Sequence, residues 1–163
     1  MNCQNCGAPM KLGDQRTVLN CRYCLSTAKL KCESLDSDQV VSLGTPGGIS
    51  CPHCHDELVE AAVDGLRAKY CEHCHGVLVE APIFAEVTWN RRKKYRGPEL
   101  IPQLIDPEAL SQVIECPQCQ KPMEVHPHYG PGRAVIDSCD ECHLVWLDHL
   151  ELTTIERTPG RRS

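Results

Sequence analysis

Cys51-Pro52-His53-Cys54-His55 and, with 16 residues between Cys54 and Cys71, Cys71-Glu72-His73-Cys74-His75-Gly76 decide the fold of this chain. Two residues between cysteines let a tight knuckle turn both sulfurs toward one point. Two knuckles then complete a tetrahedral four-thiolate site, with Zn–S near ~2.3 Å. The intervening run reads Glu57-Leu58-Val59-Glu60-Ala61-Ala62-Val63, then Asp64-Gly65, then Leu66-Arg67-Ala68-Lys69-Tyr70. Asp-Gly between two apolar runs is a strong hairpin signal, and this hairpin carries the second knuckle back to the first.

The arrangement is written three times. Twelve of the 13 cysteines form Cys-x-x-Cys pairs, which group into Cys3, Cys6, Cys21 and Cys24; Cys51, Cys54, Cys71 and Cys74; and Cys116, Cys119, Cys139 and Cys142. The gaps inside the sets are 14, 16 and 19 residues, and those between sets are 26 and 41. This is the pattern of structural zinc sites, so three Zn2+ are expected. Iron takes the same thiolates, and the sulfur set alone leaves it open. A redox Cys-x-x-Cys is normally a single pair beside a βαβ pattern, which is missing here. A closed four-thiolate site has no position for water, which argues against catalytic zinc. Cys32 is left over and reads as an incidental thiol.

Composition agrees. The 163 residues include 1 Phe, 2 Trp and 4 Tyr, too few for a core of ordinary size. Segments of a few dozen residues need a cross-link to offset chain entropy. An odd cysteine count excludes a complete set of intrachain disulfides. No apolar signal region follows Met1 and no run approaches the length of a membrane span, so the expected compartment is the reducing cytoplasm, away from membranes.

The expected class is therefore small, metal-stabilised and mainly β, with three tandem four-cysteine zinc ribbons and short helices after the second and third. The boundaries read as ribbon 1 over 1–32, a flexible Gly/Pro-containing linker over 33–50, and ribbon 2 plus a helix over 51–96. A linker with a short helix follows over 97–115, then ribbon 3 plus a C-terminal helix over 116–158 and a tail over 159–163. Helical character is expected from Pro82 to about Lys94, and from Pro107 to Ile114 behind the cap Asp106. Asp148 with Glu151 reads as a capping box for the last helix. Linkers between cores predict that losing one cysteine destabilises its own ribbon alone.

Ribbons 2 and 3 are a diverged repeat. Cys51-Pro52-His53-Cys54 parallels Cys116-Pro117-Gln118-Cys119, and Cys74-His75-Gly76-Val77-Leu78-Val79-Glu80 parallels Cys142-His143-Leu144-Val145-Trp146-Leu147-Asp148. On Cys116-Pro117-x-Cys119, Cys139-x-x-Cys142 and Trp146-Leu147-Asp148 with Glu151-Leu152, residues 116–157 closely resemble the TFIIB-like ("transcription factor zinc-finger") ribbons of small prokaryotic proteins. Residues 51–87 resemble them more loosely: Gly76 is kept, but Leu78-Val79-Glu80 stands where the Trp-Leu-Asp box belongs, whereas residues 116–157 keep the box and have Leu144 where the glycine is usual. Residues 1–31 resemble a generic zinc ribbon. The resemblance implies fold and zinc.

Function is less directly written. The formal charge is −5, and ionising twelve thiols onto three dications takes it to about −11. An acidic chain must concentrate its phosphate contacts to bind nucleic acid. The concentrated basic stretch is Arg91, Arg92, Lys93, Lys94, Tyr95 and Arg96, with Trp89 and Tyr95 able to stack on bases. Its bland counterpart is a solvated helix end, where cations complement the dipole. His53, His55, His73, His75 and His143 sit in or beside knuckles that already have four thiolates, and read as exposed or supporting groups. His126 and His128 share a strand face, a weak candidate for a further metal site. No nucleophilic triad, usable carboxylate pair or phosphate loop is present, so no enzyme activity and no small-molecule substrate are expected. The leading reading is a docking module for an unidentified protein partner. The alternative is a nucleic-acid-associated, transcription- or translation-related factor using 91–96.

Overall fold

A computed structural model describes residues 6, 8, 11–12, 18–24, 27–29, 38–101, 104–128 and 134–159. The chain divides into two compact units, Met1–Asp36 and Ser37–Ser163. In the first, β1 (Lys11–Leu12), β2 (Val18–Asn20) and β3 (Thr27–Lys29) form an antiparallel sheet in the order β1-β2-β3, with Leu12 opposite Leu19 and Leu19 opposite Ala28.

In the second unit the described residues build one antiparallel sheet. Its strands are β4 (Val40–Ser50), β5 (Glu57–Val63), β6 (Leu66–Tyr70), β7 (Val77–Glu80), β8 (Glu124–Pro127), β9 (Val135–Cys139) and β10 (Leu144–Leu147). The order is β4-β5-β6-β7-β10-β9-β8, so the two ribbons join through their third strands. Val77 faces Leu147, Leu78 faces Trp146, Val79 faces Val145 and Glu80 faces Leu144. Leu78 and Trp146 both stand four residues beyond the last cysteine of their ribbon. Equivalent positions meet, so a pseudo-twofold axis passes between them.

Strand alternation sorts the side chains. On one face Val77, Val79, Val145 and Leu147 pack with Ala61, Val63 and Ala68 under α1 (Ala81–Lys94) and α3 (Glu151–Arg157), which contribute Phe84, Val87, Leu152 and Ile155. On the other, Leu78, Leu144 and Trp146 pack with Leu58, Met123 and the cysteines of both ribbons. All four residues of β10 are buried, because one face meets helices and the other meets knuckles.

Several expectations change. The expected linker 33–50 is strand over Val40–Ser50, where Gly44, Pro46, Gly47 and Gly48 are accommodated because β4 lies at an edge with two register irregularities. Lys69 donates to the Gly47 carbonyl (2.9 Å), tying this strand down. Ribbons 2 and 3 are not separate cores, since β7 and β10 make them one sheet.

The short helix after Asp106, α2 (Pro107–Ser111), ends at Ser111 rather than Ile114. Ile114 and Glu115 are instead drawn into pairing with Met123 and Pro122. Asp106 caps the helix as expected, accepting from the Glu108 N–H at 3.0 Å.

The last helix begins at Glu151, after Leu150 in the left-handed region (φ 70°), not at Asp148. Half of the capping box survives, as Glu151 Oε2 accepts the Asp148 N–H (2.7 Å). The cap itself comes from buried Asp38, which accepts from Leu150 N (2.7 Å), Thr153 N (2.8 Å) and Thr153 Oγ1 (3.0 Å). Among the described residues no helix is long and apolar enough to cross a membrane.

Candidate metal centres

The knuckles repeat one backbone geometry. Cys51 O, Cys71 O and Cys116 O accept from the N–H of His55 (3.0 Å), His75 (2.9 Å) and Gln120 (2.8 Å). Cys51 N, Cys71 N and Cys116 N donate onward to the carbonyls of Asp56 (2.7 Å), Gly76 (2.9 Å) and Lys121 (2.8 Å). The residue after each second cysteine takes positive φ: 62° at His55, 63° at His75, 61° at Gln120 and 52° at His143. Three of the knuckle histidines thus sit where the backbone must turn left-handed, a conformation His adopts more readily than most residues.

The β5–β6 hairpin turns at Asp64 (φ 52°) and Gly65 (φ 83°), as Asp-Gly predicts for a type I′ turn. It delivers Cys71 beside Cys54. The Cys54–Cys71 sulfurs lie 3.3 Å apart and the Cys51–Cys74 pair 3.5 Å. In the third ribbon Cys119 and Cys139 are 3.6 Å apart. Each set of four sulfurs lies within 4.8 Å of one another. A disulfide brings sulfurs to about 2 Å, whereas tetrahedral Zn–S bonds of ~2.3 Å hold them about 3.8 Å apart. The observed spacing fits four thiolates around one ion.

In the first unit Cys6, Cys21 and Cys24 gather in the same way, with Cys6 and Cys21 sulfurs 3.5 Å apart. Cys3, the expected fourth ligand, and Cys32 lie outside the described residues.

Burial raises the thiols of Cys51, to about 11, and of Cys142, to about 12, and it also raises Cys74 and Cys116. Cys119 is lowered, chiefly because the Lys121 N–H bonds to it. At Cys71 the same burial penalty is outweighed by the N–H groups of Cys74 and His73 and the Cys54 thiol, so the net direction is down. A seat that resists four free thiolates but supplies N–H donors to the sulfurs is built for a cation to complete.

The Trp-Leu-Asp box of the third ribbon reaches across to the second. Trp146 is fully buried and donates Nε1–H to Asp148 Oδ1 (2.9 Å). The same oxygen lies 3.0 Å from His53 Nε2, inside the Cys51–Cys54 knuckle. A Cβ at Gly76 would lie 2.1 Å from the Trp146 indole, so only glycine fits there.

Nearby carboxyls feel the apolar setting. Burial, with Asp148 alongside, pushes Asp137 up to about 7, and burial pushes Glu151 up to about 8. His73 pairs with Asp56 (2.6 Å), which raises it. His126 bonds Ser138 Oγ (3.1 Å), and His128 packs edge-on to Phe84 with its pKa lowered by burial to about 4. Among the described residues neither belongs to a cluster of metal donors.

The basic stretch does not survive as a single patch. Arg91 is buried and makes a two-pronged contact with Asp64, Nε to Oδ2 at 2.7 Å and Nη2 to Oδ1 at 3.0 Å, while Nη2 also donates to the Asp38 carbonyl at 2.8 Å. Arg92 is buried and donates to the carbonyls of Ile155 (2.9 Å) and Thr158 (3.2 Å). Both Arg91 and Arg92 therefore leave the expected contact set, because each holds one end of another element. Arg96 donates to the Lys93 and Tyr95 carbonyls, and Tyr95 donates to the Pro98 carbonyl (2.9 Å). Trp89, Lys93, Lys94 and Arg96 are exposed and Tyr95 half-buried.

Two four-cysteine ribbons sharing one sheet, with a third cysteine cluster in a separate unit, fit small metal-stabilised zinc ribbons. Residues 50–82 match the family model described as "Transcription factor zinc-finger". The match falls on the second ribbon, which lacks the Trp-Leu-Asp box. Comparisons with curated proteins and with solved structures return no match.

Proposed function

We propose that this is a non-enzymatic protein with three structural zinc ions, whose ribbons present rigid surfaces to a protein partner. The observation that carries the reading is the inward turn of Arg91 and Arg92. It removes two of five cations from the one concentrated basic stretch of an acidic chain. Apolar side chains meanwhile remain outside: Ile101, Leu104 and Val113 are exposed along the segment joining the ribbons, and Val41 and Leu43 on β4. Such groups suit contact with protein better than with phosphate.

Capturing partners from extract with the native chain and with Leu104→Asp/Val113→Asp tests the reading. A partner retained by the first and lost by the second is expected. Identical partner sets would remove this surface from the proposal.

One observation favours the alternative. Trp89 and Lys93 fall at i and i+4 on the exposed side of α1, an aromatic with a cation beside it, and exposed Arg96 follows just past the helix end. Titration against single- and double-stranded nucleic acid at several salt concentrations separates the two. Binding at low salt whose slope falls on neutralising Lys93, Lys94 and Arg96 would establish the nucleic-acid reading in place of docking.

A further inference from the structure

We propose that the Trp146-Leu147-Asp148-His149 segment of the third ribbon positions both knuckles of the second metal site, so that these two sites bind metal with positive coupling. Three of these four residues each reach one point of the neighbouring site. The Trp146 indole fills the space that a side chain on Gly76 would take, and the Gly76 carbonyl accepts the Cys71 N–H, so the indole bears on the backbone of that knuckle. Asp148 holds His53, between Cys51 and Cys54. The His149 ring lies 5.1 Å from that of His75, the left-handed residue after Cys74.

The return grip has different chemistry. Leu78 stands at the Trp146 position and Leu144 at the Gly76 position, so an aliphatic contact replaces the indole. Among the described residues a polar tie runs in that direction from the Ala81 N–H to the His143 carbonyl (2.8 Å).

Metal at the third site fixes the corner between Cys139, which ends β9, and Cys142, which leads into β10. That corner aims Trp146 and Asp148. A seat held in its bound geometry loses less conformational freedom when the ion arrives, so loading the third site raises affinity at the second. Linkage requires the converse by the same factor.

The test uses Co2+ as probe in the full-length chain with the first site disabled by Cys21→Ser/Cys24→Ser. Three versions are titrated by thiolate-to-metal absorption: both sites intact, Cys139→Ser/Cys142→Ser, and Cys71→Ser/Cys74→Ser. Each remaining site is expected to bind about 5- to 150-fold more weakly than in the two-site chain, with equal factors for both.

Because loss of one site also threatens the fold, Trp146→Leu is made in the two-site chain as well, where all eight ligands remain. It should bring the affinities close to the single-site values. Leu152→Ala, a core change on the helix face away from the knuckles, should leave the coupling in place. Equal affinities in one-site and two-site chains would overturn the proposal. So would full coupling in Trp146→Leu, or an equal loss of coupling in Leu152→Ala.

Discussion

The second and third ribbons share paired Cys-x-x-Cys knuckles, a three-strand ribbon and a trailing helix, yet differ at two positions beside their last knuckles. The second has Gly76 and Leu78; the third has Leu144 and Trp146. Within one ribbon, each looks like a motif with half its signature missing. Across the shared sheet the two departures are one event. Trp146 lies against Gly76, which a Cβ would obstruct at 2.1 Å, while Leu78 and Leu144 fill the same apolar cluster on the other side of the axis. Two large-and-small choices are satisfied across the pair rather than inside either ribbon.

The largest effect should come from testing whether the ribbons fall together. Chelation of both sites should unfold the whole second unit in one transition, and Cys116→Ser alone should destabilise both ribbons together, since metal binding energies are on the order of 10 kcal/mol or more and both clusters lie in one core. Circular dichroism and the emission of buried Trp146 would report it. Undiminished stability and metal affinity of the second ribbon in Cys116→Ser would return the ribbons to independence.

Next, Trp146→Ala should cost about 3–5 kcal/mol by cavity formation, and Gly76→Ala about 1–3 kcal/mol by overpacking. Chemical denaturation should also show non-additivity. Gly76→Ala made in a Trp146→Leu background should cost less than alone, because the obstruction is gone.

A smaller asymmetry lies in the helices. α1 has Pro82 in its first turn and no side-chain cap, whereas α3 takes its cap from Asp38. Asp38→Ala should destabilise the unit by about 2 kcal/mol, by leaving the buried N–H groups at the start of α3 unpaired. Hydrogen exchange at Thr153 should rise more than in α1; equal rises would show that Asp38 acts on the unit as a whole.

The smallest effect is with pH. Glu151 is raised from 4.5 to about 8, so its protonated form is favoured by folding. Its contribution is full below its ordinary range and is lost as pH rises through about 8. The metal-loaded Glu151→Gln chain should therefore lose less stability than the native one between about pH 5 and pH 9.

The cysteine sets of the second unit, the Asp64-Gly65 turn, the α1 span and the Asp106 cap were legible because each depends on neighbours a few residues apart. Fusion of the ribbons was not. Val77-Leu78-Val79 and Val145-Trp146-Leu147 are short apolar runs after a knuckle, and nothing local says that their open edges meet. β4 was hidden by Gly44, Pro46 and Gly48, residues that mark a linker and that an irregular edge strand also tolerates. Arg91 and Arg92 looked like surface charge because their partners, Asp64 and the end of α3, lie 27 and 63–66 residues away. Asp38 capping a helix more than 110 residues distant is beyond any short-range pattern.

The pseudo-twofold axis between Leu78 and Trp146 carries one more consequence. Were two identical ribbons to associate in this way as separate chains, the residue on the axis would meet its own copy, and every substitution there would be made twice. A tryptophan would then face a tryptophan. With both halves in a single polypeptide, one change can be made on one side only. The contact was thereby freed from self-complementarity, and the two halves could divide the roles of wedge and socket.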